Sequence, residues 1–165
     1  MNNFPVFKQT LGFLGCLTVS FTAAAIGGLA SASAGSFYKA LNQPEWAPPA
    51  WLFAPAWTIL YFLMALSVWL IWRSFGFQRA RIALSLFIGQ LVLNALWSWL
   101  FFVWHQGALA FYEILVFWGL ILGTIISFWR LNRVAGMLLL PYLAWVTFAA
   151  VLAFTLWQLN PRLLT

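Results

Sequence analysis

A bundle of five membrane-spanning α-helices is the fold class this sequence predicts, and three observations carry that expectation. Of its 165 residues, 65% are hydrophobic, 20% aromatic and only 6% charged. A water-soluble domain carries roughly 25% charged residues, because its surface must face water. Eight Lys/Arg and two Asp/Glu cannot coat this chain, which excludes a soluble globule and a disordered segment. The second observation is a set of long apolar runs, each of the length that crosses a hydrocarbon core. The third is that these runs do not alternate apolar with polar, as barrel strands of about ten residues would.

In chain order the runs are Leu11–Ala30, Trp51–Trp72, Ile82–Trp104, Ala108–Trp129 and Val134–Leu156. A helix crossing about 30 Å of hydrocarbon needs roughly 20 apolar residues, and a helix satisfies its backbone groups internally, as lipid requires. The first run follows Lys8 and ends at Ala30-Ser31-Ala32-Ser33-Ala34, which resembles a signal peptide with small-residue cleavage sites. It exceeds the roughly 7–15 residues of a signal-peptide core, so it is expected to stay as a span. A loop, Ser31–Ala50, follows; its three prolines, Pro44, Pro48 and Pro49, stiffen it, and flanking aromatics suit it to lie as a lid over one bundle end or to form an interfacial belt. The remaining connections, Arg73–Arg81, His105–Gly107 and Arg130–Arg133, are short. Short links make successive helices antiparallel neighbours in one domain spanning residues 1–165.

Cations set the expected orientation. Lys8, Arg73, Arg79, Arg81, Arg130 and Arg133 share one side, while Lys39 and Arg162 lie on the other with Glu45 and His105. The positive-inside rule then puts the N-terminus in the cytoplasm and the C-terminus outside. The formal charge of +6 does not point to nucleic acid, because the basic residues lie between apolar runs instead of forming a patch.

Polar side chains at membrane depth are expensive and face the bundle interior. In the third span Gln90, Asn94, Trp97 and Phe101 fall on one helical face. The two amides suit either a ligand's polar groups or hydrogen bonds between helices. Trp57 and Tyr61 share a face of the second span, and Tyr142, Trp145, Ala149 and Leu152 form a stripe on the fifth. A small residue one turn beyond a Trp leaves a shelf for a flat ligand; the same stripe also serves plain packing. Glu113 is the one acid inside an apolar run, readable as a proton carrier or as a carboxylate partnered by Tyr112, His105 or a neighbouring helix. Gly119 and Gly123, and Gly12, Gly15, Gly27 and Gly28 on the first span, offer close-packing spots within the chain or between copies.

Several chemistries lack their parts. His105 is the only histidine and Cys16 the only cysteine, so no metal site, paired-histidine haem site or disulfide is expected from one chain. With no Asp and two Glu, a nucleophile–base–acid set is not available. What remains is recognition by aromatic faces, a few amides and hydroxyls, which suits a large, flat, mostly apolar ligand.

Four segments carry a family resemblance. Pro44-Glu45-Trp46-Ala47-Pro48-Pro49, Trp57-Thr58-Ile59-Leu60-Tyr61-Phe62-Leu63-Met64, Gln90-Leu91-Val92-Leu93-Asn94-Ala95-Leu96-Trp97 with Phe101-Phe102, and Pro141-Tyr142-Leu143-Ala144-Trp145 with Phe148-Ala149 occur in register. Together they resemble the translocator protein / tryptophan-rich sensory protein (TspO/MBR) family, also known as peripheral-type benzodiazepine receptors. The resemblance implies a five-helix bundle, often a homodimer, that binds porphyrins such as protoporphyrin IX and haem as ligands and requires no cofactor. It further implies roles as a receptor, sensor or carrier in tetrapyrrole traffic, light-dependent porphyrin breakdown, and synthetic benzodiazepine-type or isoquinoline carboxamide ligands. Carried over by position, Trp57 and Trp145 match the tryptophans tied to porphyrin binding and breakdown. Tyr61, Asn94, Trp97 and Ala149 match pocket-lining places, Trp46 matches the lid, and Glu113 a place that is often acidic. The family's proposed sterol motif is broken, because its places read Ala153-Phe154 and Gln158, so sterol binding by that route is not expected.

These strands meet in one expectation. Aromatic walls from the second, third and fifth spans hold a porphyrin plate, with Gln90 and Tyr142 among the polar contacts and Lys39 in the lid meeting a propionate. The alternative is a proton-coupled small-molecule transporter that uses Glu113.

Overall fold

The computed structural model describes residues 5–32 and 34–165. Ser33, in the small-residue stretch after the first span, lies outside the described residues. Every regular element among them is helical: α1 (Val6–Ala30), α2 (Ala34–Ala40), α3 (Phe53–Arg79), α4 (Arg81–Ser98), α5 (Gly107–Leu131), α6 (Arg133–Leu138) and α7 (Leu140–Leu159). Five stretches are long and apolar enough to cross a membrane, namely Val6–Ala30, Ala50–Arg79, Arg81–Val103, Gly107–Leu131 and Arg133–Leu159. This is the expected five-helix bundle, with helix ends differing from the sequence reading where local chemistry overrides the apolar run.

Three of those ends matter. The link read as Arg73–Arg81 is mostly helical, and its break falls at Gly76, whose φ of 67° and ψ of −177° suit only glycine. After α4 the helix widens into a π-turn, Trp99–Val103, in which the Trp104 amide donates to Trp99 O at 2.9 Å. The fifth span is two pieces. Asn132 adopts extended backbone and its side chain accepts from the Ala135 amide at 3.2 Å, capping α6. Pro141 then sits in the first turn of α7, where its missing donor leaves no gap in the ladder.

α1 packs on both α3 and α4, α5 lies against α4 and α7, and α6 contacts α3 and α5. The α1–α3 seam is tight at the Arg73 end. A Cβ on Gly12 would overlap the Trp72 ring, the Trp69 indole donates to Gln9 O at 3.0 Å, and Phe13 meets Phe62 and Trp69 edge-on. Met64, Ile71, Phe87, Ile114, Phe117, Ile121 and Phe128 fill the central core. A smaller apolar cluster at the α2 end gathers Tyr38, Leu41, Phe101, Leu152, Leu156 and Leu164. Outward faces stay apolar, with Ile59, Val92, Val116 and Val151 all exposed. In water such a surface would aggregate; in a bilayer it is matched by its solvent.

Candidate functional site

Between the two clusters lies a cavity of about 560 Å³, within the range of small-molecule sites. Much of its wall is aromatic. Phe53, Trp57 and Tyr61 come from α3, Asn94 and Trp97 from α4, Phe101 and Phe102 from the π-turn, and Trp145, Ala149 and Leu152 from α7. The rings brace one another. Trp57 lies 5.6 Å from Tyr61, Phe53 meets Trp145 edge-on at 6.1 Å, and Trp97 stacks on Phe101 at 5.2 Å. Such offset and edge contacts add about 0.5–1.5 kcal/mol each beyond burial, so the walls are preformed.

The expected site residues divide into three groups. Trp57, Tyr61, Asn94, Trp97, Trp145 and Ala149 share the cavity wall. Gln90 and Tyr142 do not line it; they are buried behind it in a polar chain. Tyr61 Oη donates to Asn94 Oδ1 at 2.6 Å, Asn94 Nδ2 donates to Tyr142 Oη at 2.9 Å, and Tyr142 Oη donates to Gln90 Oε1 at 2.6 Å. This chain ties α3, α4 and α7 together and uses the amide groups that the sequence left open for a ligand. Trp46 and Lys39 form the third group. Trp46 is 48% exposed and touches Phe148 edge-on at 5.9 Å, while Lys39 is exposed beside the lining residue Tyr38. Among the described residues, no Lys or Arg lines the cavity.

Glu113 also stands apart from the cavity. Both its carboxylate oxygens are buried and have no hydrogen-bond partner among the described residues, so neither Tyr112 nor His105 takes the role the sequence offered them.

Sequence reasoning missed one wall altogether. Phe21, Ala24, Ala25, Gly27, Gly28 and Ser31 of α1 line the cavity. The signal was the small-residue run Ala23-Ala24-Ala25 followed by Gly27-Gly28, of which only the glycines were read, and those as packing spots. Gly27 does pack, since a Cβ there would come within 3.2 Å of Ser98 Oγ; Gly28 does not, since nothing lies within 4 Å.

The loop after α1 is tied down over the cavity. Tyr38 of α2 lines it and donates to Pro48 O at 3.0 Å, while Gln43 donates to Tyr38 O. Burial pushes the Tyr38 phenol above its ordinary range, so it remains a donor. Asn160, beyond α7, clasps the loop reciprocally: it accepts from the Asn42 amide at 2.8 Å and donates to Asn42 O at 3.0 Å. Phe37 stacks on His105 at 4.2 Å, which ties α2 to the α4–α5 turn.

Fold and site together define an integral multi-pass membrane protein whose helices enclose an aromatic-walled, uncharged cavity beneath a fixed lid. Residues 16–158 match the TspO/MBR family, and the chain belongs to that family. It is 40% identical to the translocator protein of Ovis aries over 126 residues, 75% of each chain. It is also 36% identical to protein CrtK of Rhodobacter capsulatus over 87% of this chain and 91% of that one. Against the tryptophan-rich sensory protein of Cereibacter sphaeroides the identity is 39%, covering 75% of this chain and 77% of the relative.

Proposed function

We propose that the protein is a membrane receptor or carrier that binds a porphyrin-type tetrapyrrole, such as protoporphyrin IX or haem, in this cavity. One observation carries the reading: Trp57, Trp97 and Trp145, from three different helices, open onto a single apolar space of about 560 Å³. A conjugated plate gains both burial and ring contacts on such walls. No Lys or Arg lines the space among the described residues, so the propionates of a bound porphyrin would lie at the rim; Lys39, exposed on α2 next to the lining Tyr38, is the cation that would meet them in this reading. Light-dependent breakdown of the bound porphyrin is a further part of the reading, with Trp57 and Trp145 as the indoles against the ring. A homodimer is expected on the family resemblance.

The test is fluorescence quenching with protoporphyrin IX in detergent. Trp57→Phe/Trp145→Phe is expected to weaken binding by about ten-fold, because each smaller phenyl forfeits part of the indole's contact with the plate, and to abolish photobleaching of the porphyrin. Unchanged affinity and photochemistry would remove both roles. The rival, a proton-coupled transporter, has less geometry behind it, since Glu113 is not part of the cavity wall. Proton-gradient-dependent uptake into proteoliposomes that is lost in Glu113→Gln would support that rival.

A further inference from the structure

The cavity wall is uneven in its exposure. Every lining residue contributed by α4, the π-turn and α7 is buried or half-buried. The exposed ones are Phe21, Ala25 and Gly28 of α1, Gly35 of α2, and Ala54 and Thr58 of α3. The opening therefore lies on one side of the bundle, between the end of α1 and the start of α3. The seam between these helices explains it. At Gly12 and Trp72 the pair is in close contact, and Phe21 still reaches the Tyr61 ring at 6.2 Å. Two turns further along α1, a Cβ on Gly28 would meet nothing within 4 Å. The helices part at the level of the cavity.

The end of the cavity facing water has the opposite character. It is covered by α2 and residues 41–49, held by the Asn42–Asn160 clasp, the Tyr38–Pro48 bond and the Phe37–His105 stack. Opening it means breaking the two Asn42–Asn160 hydrogen bonds and the Phe37–His105 stack, while the Tyr38–Pro48 bond stiffens the cover itself. Among the described residues, no side-chain hydrogen bond links Phe21, Ala25 or Gly28 to Ala54 or Thr58 across the side. Its frame is also free of charge, since Phe21, Ala25, Gly28, Ala54 and Thr58 carry none, and the Thr58 hydroxyl already donates to Ala54 O at 2.8 Å. A polar solute has nothing to bind there, and hydrocarbon fits it.

We propose that this gap between α1 and α3 is a lateral portal through which the cavity is loaded from the hydrocarbon phase of the bilayer, so that the molecule it admits is an apolar one already dissolved in the membrane. The portal extends the ligand-binding reading above and rests on it only for the nature of the cargo. Because a portal lowers a barrier without favouring either end state, it governs both rates and leaves the equilibrium nearly untouched.

Two arms test it separately from porphyrin binding. In phosphatidylcholine vesicles whose acyl chains carry a mid-chain diazirine, photolabelling is expected on interior side chains such as Ala24, Trp57 and Trp145, as well as on outward Ile59 and Phe62. Gly28→Leu, which places a side chain in the open gap, is expected to remove the interior labels and keep the outward ones. In the second arm, protoporphyrin IX is delivered from vesicles and followed by tryptophan quenching. Gly28→Leu is expected to slow association and dissociation, each by about ten-fold; the two rates are the readout, because Gly28 also lines the cavity. Asn160→Ala and His105→Asn, which loosen the lid at residues outside the cavity wall, should leave both rates within about two-fold. Labels confined to outward residues in the wild-type protein would overturn the portal. So would porphyrin rates that ignore Gly28→Leu and rise in the lid variants. Interior labelling that Gly28→Leu abolishes, without any porphyrin quenching, would uphold the portal and dismiss the porphyrin.

Discussion

Asn94 stands between two phenols, accepting from Tyr61 and donating to Tyr142, while Gln90 accepts the Tyr142 hydrogen bond. In hydrocarbon these hydroxyls have no water to turn to. Removing the middle member should therefore cost more than one hydrogen bond. Asn94→Leu is expected to destabilise the protein by about 1–3 kcal/mol, because it strands the Tyr61 hydroxyl and leaves Tyr142 with Gln90 alone. Thermal unfolding in detergent measures this, and a variant as stable as the parent would mean the chain is not what joins α3, α4 and α7. The spacing of Gln90, Asn94 and Trp97 on one face was legible in the sequence. Which amides face the ligand space and which are consumed by neighbours was not, because the partners, Tyr61 and Tyr142, lie 33 and 48 residues away from Asn94.

At the scale of elements, helix ends and seams decide the geometry. Gly12 and Gly15 sit one turn apart on α1, yet only Gly12 faces the Trp72 ring; a Cβ on Gly15 meets nothing within 4 Å. Gly12→Ala should force α1 away from α3 and cost about 1–3 kcal/mol of overpacking. Gly15→Ala should be neutral, or stabilise by up to about 1 kcal/mol through helix propensity. Paired melts of the two variants check the contrast, and equal effects would refute the seam. The five spans were readable from their apolar length. The break at Gly76, the π-turn at Trp99–Val103 and the cap at Asn132 were not, since each depends on local backbone chemistry inside an otherwise continuous run.

Across the whole molecule, the tied-down loop and the cavity occupy one end, and the Arg73–Arg81 and Arg130–Arg133 turns the other. The cation excess at the second end predicts that it is cytoplasmic, with the cavity end facing away. In phosphatase or fluorescent-protein fusions, a reporter on the C-terminus is expected to show the non-cytoplasmic pattern. One on the Arg130–Arg133 turn is expected to show the cytoplasmic one. The reverse pattern would invert the bundle and place the lid in the cytoplasm.

By itself the sequence determined the solvent, the span count and the aromatic character of the interior, because each follows from the chemistry of contiguous residues. Apolar length selects lipid and helix, and spacings of three and four residues select a shared face. Tertiary structure alone decided that α1 closes one wall, that Gln90 and Tyr142 lie behind the cavity, that Lys39 lies outside it, and that α1 and α3 part at Gly28. Those facts depend on how far apart two helices settle, which is set by the side chains that meet across them, such as Trp72 over Gly12.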